Sequence, residues 1–142
     1  MRVNLRPADV SDLELMLAWR SDEEIYRHFR KQSEPLDWED HVSWFASRDS
    51  ERCDWIVEYQ GRRVGSVSLT PTNEIGVYIG EKSLWGEGVG SAALKQACDS
   101  AVKPISAKIH EDNTPSQKLF EKVGFERVEN DGEWIEYELS DA

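Results

Sequence analysis

The stretch Trp85-Gly86-Glu87-Gly88-Val89-Gly90-Ser91 decides the fold that we expect for this chain. It follows a predicted strand at 74–81 and opens a predicted helix at 88–102. Because glycines let the backbone curl tightly, consecutive N–H groups and the start of the helix can face one anion, such as a pyrophosphate. The spacing is Gly-x-Gly-x-Gly and no Gly-Lys-Ser/Thr follows it, which excludes a dinucleotide fingerprint and a P-loop. Taken alone, the three glycines are equally consistent with a plain tight turn.

Short connections join the segments on either side of this loop. Alternating side chains predict strands at Cys53–Tyr59, 63–70 and 74–81, and the tight turns between them predict an antiparallel meander. A strand at 2–6 and three helices, around 13–19, 22–29 and 37–48, precede the meander. A strand at Ile105–His110, a helix at 115–123 and a hairpin of 125–129 with 133–139 follow the loop. This order predicts one α+β domain over residues 1–142.

The composition excludes several classes of function. The 142 residues include 17 basic and 28 acidic side chains, a formal charge of −11, which argues against nucleic acid because phosphates need a basic face. The charge is consistent with solvation, with adaptation to high salt, or with attraction of a cationic substrate. The longest uncharged run, 64–73, is about half of what a bilayer crossing needs, and no signal-peptide pattern opens the chain. We therefore predict a cytoplasmic protein with no membrane partner.

Three histidines, His28, His41 and His110, match no metal-ligand spacing, so the sequence predicts no metal site.

A second motif begins 23 residues after Gly90, at 113–125, and reads Asn-Thr-Pro-Ser-Gln-Lys-Leu-Phe-Glu-Lys-Val-Gly-Phe. Thr114 suits the N-cap of a helix, Gln117 the partner in a capping box, and Gly124 the left-handed residue after the helix. A well-capped helix is the simplest interpretation of this segment. Its position after a meander and a glycine-rich loop makes the combination far more specific than either motif alone.

With both motifs in this order, the chain resembles the GNAT superfamily of acetyl-CoA-dependent N-acetyltransferases over essentially its whole length. Segment 75–80 with the loop is similar to the family's fourth strand and pyrophosphate loop, and 113–125 to its Asn-x-x-(Ala/Ser)-x-x-Leu-Tyr-Glu-x-x-Gly-Phe signature. Trp85, where the family usually has Arg or Gln, and the segment 19–22 resemble the branch that acetylates ribosomal-protein N-termini. The resemblance implies a central, mostly antiparallel mixed sheet of about seven strands, flanked by helices and splayed between strands four and five.

The resemblance also implies which residues bind acetyl-CoA. The pantetheine arm would pair with strand four as an added strand, and loop N–H groups would hold the pyrophosphate. Asn113 would hydrogen-bond the cofactor, with Ser116 nearby. The predicted cofactor-binding residues are Val77, Tyr78, Ile79, Trp85, Gly86, Glu87, Gly88, Val89, Gly90, Ser91, Asn113 and Ser116.

Acetyl transfer needs a base, because a free alkylamine has a pKa of about 10, and an acid for the departing thiolate. Glu74 is the candidate base and Glu111 the second candidate, since the strand-five position where relatives carry a glutamate is Lys108. The family's tyrosine acid is replaced by Phe120. Tyr78 is therefore the candidate acid, with water or unassisted departure of the thiolate as the alternatives.

The predicted function is direct transfer of an acetyl group from acetyl-CoA to a primary amine in a ternary complex. The acceptor is a protein N-terminus or a small-molecule amine. Segments 38–45 and 55–57 are also similar to enzymes that acetylate nucleotide-linked amino sugars. The departures at Phe120 and Lys108 keep open a catalytically inactive acyl-CoA-binding module. We predict a monomer or a homodimer. His41 is predicted to be a surface or half-buried helix residue, with contact to the acceptor as the alternative.

Overall fold

The computed structural model describes residues 2–30, 32 and 34–140. Its element order follows the predicted one. The strands are β1 (Val3–Pro7), β2 (Cys53–Tyr59), β3 (Arg62–Leu69), β4 (Ile75–Ile79), β5 (Ile105–His110), β6 (Glu126–Asp131) and β7 (Trp134–Leu139). The helices are α1 (Leu13–Arg20), α2 (Glu23–Tyr26), α3 (Trp38–Ala46), α4 (Val89–Asp99) and α5 (Thr114–Val123), with 3₁₀ turns at Val10–Asp12 and Lys82–Leu84.

The strands form two antiparallel sheets rather than one continuous sheet. The first has the order β1-β2-β3-β4 and the second β5-β7-β6. One parallel bridge, Glu74 with Ser106, joins them at the start of β4 and β5, and the Ser106 N–H donates to the Asn73 carbonyl at 3.0 Å. Beyond that bridge β4 and β5 separate. The predicted seven-stranded α+β fold, splayed between strands four and five, is confirmed.

Alternation along the strands gives the first sheet two different faces. On one face, the main core packs strand residues such as Val67 and Ile75 against Val89 and Leu94 of α4. On the other face, which we call the α1–α3 face, Ile56 packs against residues of α1 and α2, with Trp44 of α3 partly buried at its edge. The segments upstream of the meander therefore cover one face of the first sheet, and α4 covers the other.

Several predicted helix ends are wrong by one to three residues. The second predicted helix stops at Tyr26 instead of 29, because the following residues turn across the gap between β4 and β5. The predicted N-cap Thr114 is inside α5, since the side chain of Asn113 accepts from the Ser116 N–H. Gly124 takes the expected left-handed conformation.

The helices of the described residues are short, and none combines the length and the apolar character that a membrane span requires.

Candidate active site

The edge of β4 beyond the Glu74 bridge, which we call the open edge, exposes backbone groups of alternate residues. Tyr78 is opposite Ser66 in the antiparallel register. Two other pairs of the same ladder are hydrogen-bonded, since the Gly80 N–H donates to Val64 O (2.8 Å) and the Thr70 N–H to Glu74 O (2.9 Å). Because residues in an antiparallel pair alternate, the backbone groups of Tyr78 belong to the β3 ladder and those of Val77 and Ile79 point away from it. Of the three residues predicted for pantetheine pairing, two therefore have backbone groups at the open edge.

The glycine-rich loop places the start of α4 at the end of this edge. The Trp85 indole Nε1 donates to the Ile79 carbonyl at 2.7 Å and holds the loop against β4. Gly88 is the N-cap of α4 and no side chain caps the helix, so the first N–H groups, including those of Val89 and Gly90, have no capping partner. The Glu87 N–H instead donates to Leu84 O. The free N–H groups and the helix dipole suit an anion.

Two glycines of the loop have different physical reasons for being glycine. Gly88 has φ of +86°, a left-handed conformation that side chains with a Cβ rarely adopt. Gly90 lies in the helix and is buried, and a Cβ there would lie 2.7 Å from Leu119 Cδ1 of α5. Gly88 therefore shapes the turn before α4, whereas Gly90 allows α4 and α5 to pack closely.

Asn113 lies at the start of α5, across the gap between β4 and β5. Its Oδ1 accepts the Ser116 N–H at 3.3 Å, which leaves the amide NH₂ group without a hydrogen bond in the described part of the chain. The Gln117 side chain donates to the carbonyls of His110 (3.1 Å) and Glu111 (2.9 Å) and so fixes the turn before the helix. The capping box predicted for Gln117 is therefore wrong, while Asn113 keeps a free donor.

On the α1–α3 face, the turn after α2 crosses from β4 to β5. Arg30 Nη2 donates to Glu74 Oε2 at 2.9 Å, and the ring of Phe29 lies 5.5 Å from the ring of Tyr78. The ring of His28 lies 5.9 Å from that of His110. His28, Phe29 and Arg30 thus line one side of the gap between β4 and β5, which we call the opening. Glu74, one of the two predicted catalytic residues, is held in place by the ion pair with Arg30.

Tyr78, the other predicted catalytic residue, has a buried hydroxyl. Its ring packs edge-on against Trp19 (6.0 Å) and against Phe29, and the Oη atom has no hydrogen-bond partner in the described residues. Burial raises the pKa of Tyr78 above its usual value, a change that the nearby Arg20 partly opposes. The phenol is therefore protonated at neutral pH.

At the end of β5, His110 has a defined tautomer. The Asp112 N–H donates to His110 Nδ1 at 3.1 Å, so Nε2 carries the proton, and it faces Glu133 Oε2 at 3.3 Å. Burial lowers the pKa of the neighbouring His28, and the positive charge of Arg27 adds to the effect. This end of the opening is therefore lined by neutral imidazole from His28 at neutral pH.

The remaining candidates from the sequence make contacts away from β4 or are exposed. Glu111 is exposed in the turn after β5, and Lys108 Nζ is 3.4 Å from Glu136 Oε1 on β7. Phe120 is buried in the main core, edge-on to Phe125 at 5.0 Å. Its ring therefore contributes to packing.

His41 is 1% exposed, so the prediction of a surface or half-buried residue is wrong. Its Nε2 bonds the Leu13 carbonyl at 3.0 Å and its ring stacks on Trp44 at 5.6 Å. Burial lowers the pKa of His41, as does the charge of Arg20. His41 therefore ties α3 to α1 as a neutral side chain.

Sequence reasoning missed the residues that line the α1–α3 face. Phe29 was predicted to end a helix and Arg30 to follow it. Arg20 and Trp44 lie in the segments 19–22 and 38–45 that resemble relatives, but neither was predicted to be a site residue. Within residues 2–30, 32 and 34–140, no group of three or more His, Cys, Asp or Glu side chains could hold a metal ion.

Comparison with known proteins decides the family. The model of the acetyltransferase (GNAT) domain matches residues 2–126. The chain belongs to the GNAT acetyltransferase family. It is an acetyl-CoA-dependent N-acetyltransferase, as the resemblance implied.

Three relatives illustrate how broad this similarity is. An uncharacterized protein of Methanocaldococcus jannaschii is 41% identical over 98% of this chain, which spans only 31% of that protein. A Bacillus subtilis protein named as a candidate phosphinothricin acetyltransferase is 31% identical, over 87% of this chain and 83% of its own. The human alpha/beta-tubulin-N-acetyltransferase 9 is 31% identical over 78% of this chain and 65% of its own.

Solved structures agree with the fold. A domain from M. jannaschii has a TM-score of 0.87 and 39% identity, and 98% of each chain is covered. Spermidine N-acetyltransferase from Vibrio cholerae, in complex with CoA and spermine, has a TM-score of 0.79 at 18% identity, covering 96% of this chain and 92% of the other. At that identity, the second comparison concerns the fold.

Proposed function

We propose that this enzyme transfers the acetyl group directly to a primary amine while both substrates are bound between β4 and β5. The observation that carries the proposal is the divergence of these strands after the single Glu74–Ser106 bridge, which opens the edge of β4 beside an uncapped helix start. Both backbone groups of Val77 and the N–H of Ile79, whose carbonyl is bonded to Trp85, can pair with an extended amide chain, and the start of α4 can receive a pyrophosphate.

The hydrogen-bonding groups along the open edge suit the successive parts of acetyl-CoA. Val77 and Ile79 would hold the amides of the pantetheine arm, the loop and the first N–H groups of α4 the pyrophosphate, and the free amide of Asn113 a further polar group. When bound, acetyl-CoA supplies a thioester whose carbonyl carbon reacts with an amine. The anion would be held by backbone dipoles, so a chain with a charge of −11 can still bind it.

Glu74 is the proposed base. Its carboxylate lies at the narrow end of the opening, and Arg30 occupies only Oε2, which leaves Oε1 to accept a proton from the ammonium group or from a water. The Tyr78 phenol, protonated and without a partner, is the proposed donor to the thiolate. Glu111 is exposed and is the weaker candidate for the base.

The acceptor is proposed to be a small-molecule amine that enters from the α1–α3 face. The aromatic wall made by Phe29, Trp44 and Tyr78 supports this, because it offers a confined apolar lining. A protein N-terminus, as in the ribosomal-protein branch, is the second candidate, and the similarity to the human tubulin acetyltransferase favours it. A nucleotide-linked amino sugar belongs to the small-molecule class.

The test is release of free thiol from acetyl-CoA in the presence of a panel of amines and N-terminal peptides, with product masses determined. We expect amine-dependent release and a product heavier by one acetyl group. Tight binding of acetyl-CoA without release for any amine or peptide would favour the inactive module instead.

A further inference from the structure

Three arginines surround the indole ring of Trp44 at the α1–α3 face. The guanidinium carbons of Arg20, Arg48 and Arg52 lie 5.6, 5.9 and 5.5 Å from the ring centroid. We call these three residues with Trp44 the arginine cluster. Such a concentration of positive charge is unexpected in a chain with 28 acidic and 17 basic side chains.

The three guanidinium groups of the cluster outnumber the carboxylates that contact them. Asp54, which is 5% exposed, bonds Arg48 Nη1 at 2.9 Å and Arg52 Nε at 2.9 Å. Arg20 has no carboxylate: no hydrogen bond or ion pair joins its guanidinium to another side chain in the described part of the chain, and its Nε atom is buried without a partner. The one carboxylate therefore pairs with two of the three guanidinium groups and leaves Arg20 without a counter-charge in contact among the described residues.

Packing alone does not compensate for this arrangement. Burial lowers the pKa of Arg20, which reflects the free energy lost when the charged group leaves water. The aromatic rings of Phe29 and Trp44, at 5.7 and 5.6 Å, attract the cation, but such contacts do not replace the hydrogen bonds that a buried guanidinium loses. A half-buried guanidinium whose Nε has no partner in the described residues suits the binding of an anionic group from outside.

Arg20 lies beside the residues that line the opening. Phe29 contacts both Arg20 and Tyr78, and Tyr78 lies on β4 between Val77 and Ile79. An anion bound to Arg20 would therefore be separated from the proposed reaction site only by the ring of Phe29. The planar guanidinium matches a carboxylate or a phosphate with two parallel hydrogen bonds.

We propose that Arg20 binds an anionic group, a carboxylate or a phosphate, carried by the amine acceptor. This inference rests on the proposed function and narrows its substrate class to amines that also carry a negative charge. The local charge thus opposes the net charge of the protein, which by itself would favour a cationic acceptor.

The kinetic test uses two pairs of amines that differ by one anionic group. These are glucosamine with glucosamine 6-phosphate and butylamine with 4-aminobutyrate, and spermidine is the cationic comparison. We expect kcat/KM for at least one anionic amine to exceed that of its uncharged partner by about 10- to 100-fold, the worth of a hydrogen bond to a charged group. Which pair shows the effect distinguishes phosphate from carboxylate.

The variants are Arg20→Gln, which removes the charge, and Arg20→Lys, which keeps the charge but cannot donate two parallel hydrogen bonds from a planar group. Arg62→Gln is the matched control, because Arg62 is an exposed arginine at the start of β3 whose ion pair is with Glu81 at 3.7 Å. We expect R20Q to abolish the preference for the anionic amine, R20K to restore part of it, and R62Q to leave it unchanged. Equal losses for charged and uncharged amines in R20Q would overturn the proposal.

A binding measurement separates this inference from the proposed function. The Nε–H signal of Arg20 in a nitrogen-15 NMR spectrum, assigned by its absence in R20K, is followed during titration with inorganic phosphate and with acetate. A saturable shift supports the site even if no amine in the panel is acetylated. No shift with either anion, or faster turnover of spermidine than of every anionic amine, would overturn it.

Discussion

The open edge of β4 and the α1–α3 face lie on either side of the same opening, yet they are built in different ways. The open edge presents backbone groups: alternate residues of β4 and the uncapped start of α4. The α1–α3 face presents side chains that come from separate segments, such as Arg20, Phe29, Trp44 and Glu74. Backbone groups are the same in every residue, so the first region suits a constant cosubstrate, whereas the second can differ from enzyme to enzyme.

The largest effect is expected from substitution of Glu74, the proposed base, on the α1–α3 face. Glu74→Gln removes the proposed base, so kcat should fall by about 10²- to 10⁴-fold. A base must be deprotonated to work, and the acidic limb of the pH–rate profile, on which activity rises with pH, should disappear. The dissociation constant for acetyl-CoA should not change.

Glu136→Gln is the comparison for that experiment, because Glu136, on the central strand of the second sheet, is another carboxylate held in an ion pair, with Lys108. If E136Q lost the acidic limb and E74Q kept it, the role of base would pass to Glu136. Measurement of kcat from pH 5 to 10 for both variants decides between them.

The next effect concerns the open edge. Gly88→Val places a β-branched residue at φ of +86°, so the turn must move and its N–H groups no longer converge on the pyrophosphate. We expect acetyl-CoA to bind about 100-fold more weakly in calorimetry, the equivalent of one or two charge-assisted hydrogen bonds.

Gly61→Val is the matched control for the open edge. Gly61 also has a positive φ, +75°, and lies in the turn between β2 and β3 with open space around its Cβ position. It should lose similar stability but bind acetyl-CoA normally. Equal weakening of binding in both variants would show that strain, and not the position of the loop, controls affinity.

Acid should loosen the α1–α3 face through Asp12. This carboxylate is fully buried and bonds Arg6 at 2.8 Å and Arg63 at 3.2 Å, and the Arg6 contact is the main reason why its pKa is lowered to about 2. Because the pKa is lower in the folded state, the stabilisation is complete above about pH 4 and is lost between about pH 4 and 2. Its size is roughly 2–3 kcal/mol.

Acid unfolding followed by circular dichroism tests this prediction. Asp12→Asn should lose stability at pH 7 and flatten the decline between pH 4 and 2. Asp99→Asn is the control, since Asp99 is an exposed carboxylate paired only along α4 with Lys95 at 3.1 Å. An identical acid profile in D12N and the wild type would contradict the role of Asp12.

The smallest effect is expected for Tyr78→Phe. A thiolate is a stable leaving group, so loss of the proposed donor should lower kcat by only about tenfold. The hydroxyl has no hydrogen-bond partner, so the free energy of unfolding should not decrease. A decrease measured in urea would mean that the hydroxyl is bonded in the free enzyme. An unchanged kcat would indicate that water, and not Tyr78, protonates the departing thiolate, or that the thiolate leaves unassisted.

The accuracy of the sequence predictions follows the same division. The limits of β2 and β5 are as predicted, because alternation and flanking turns define them locally. The short helix α2 was predicted to end three residues too late and the turn after it was missed, because Phe29 lies outside the helix and packs on Tyr78, a residue 49 positions later. Helical periodicity contains no information about such a partner.

The sequence by itself determined the order of elements, the glycine turn before α4 and the family, since each depends on residues close together in the chain. The tertiary structure decided which residues line the opening on the α1–α3 face. Arg20, Phe29 and Glu74 meet there only because the first sheet, its covering helices and the splay bring distant segments together. Side-chain contacts across that distance depend on packing, and packing is a property of the whole fold.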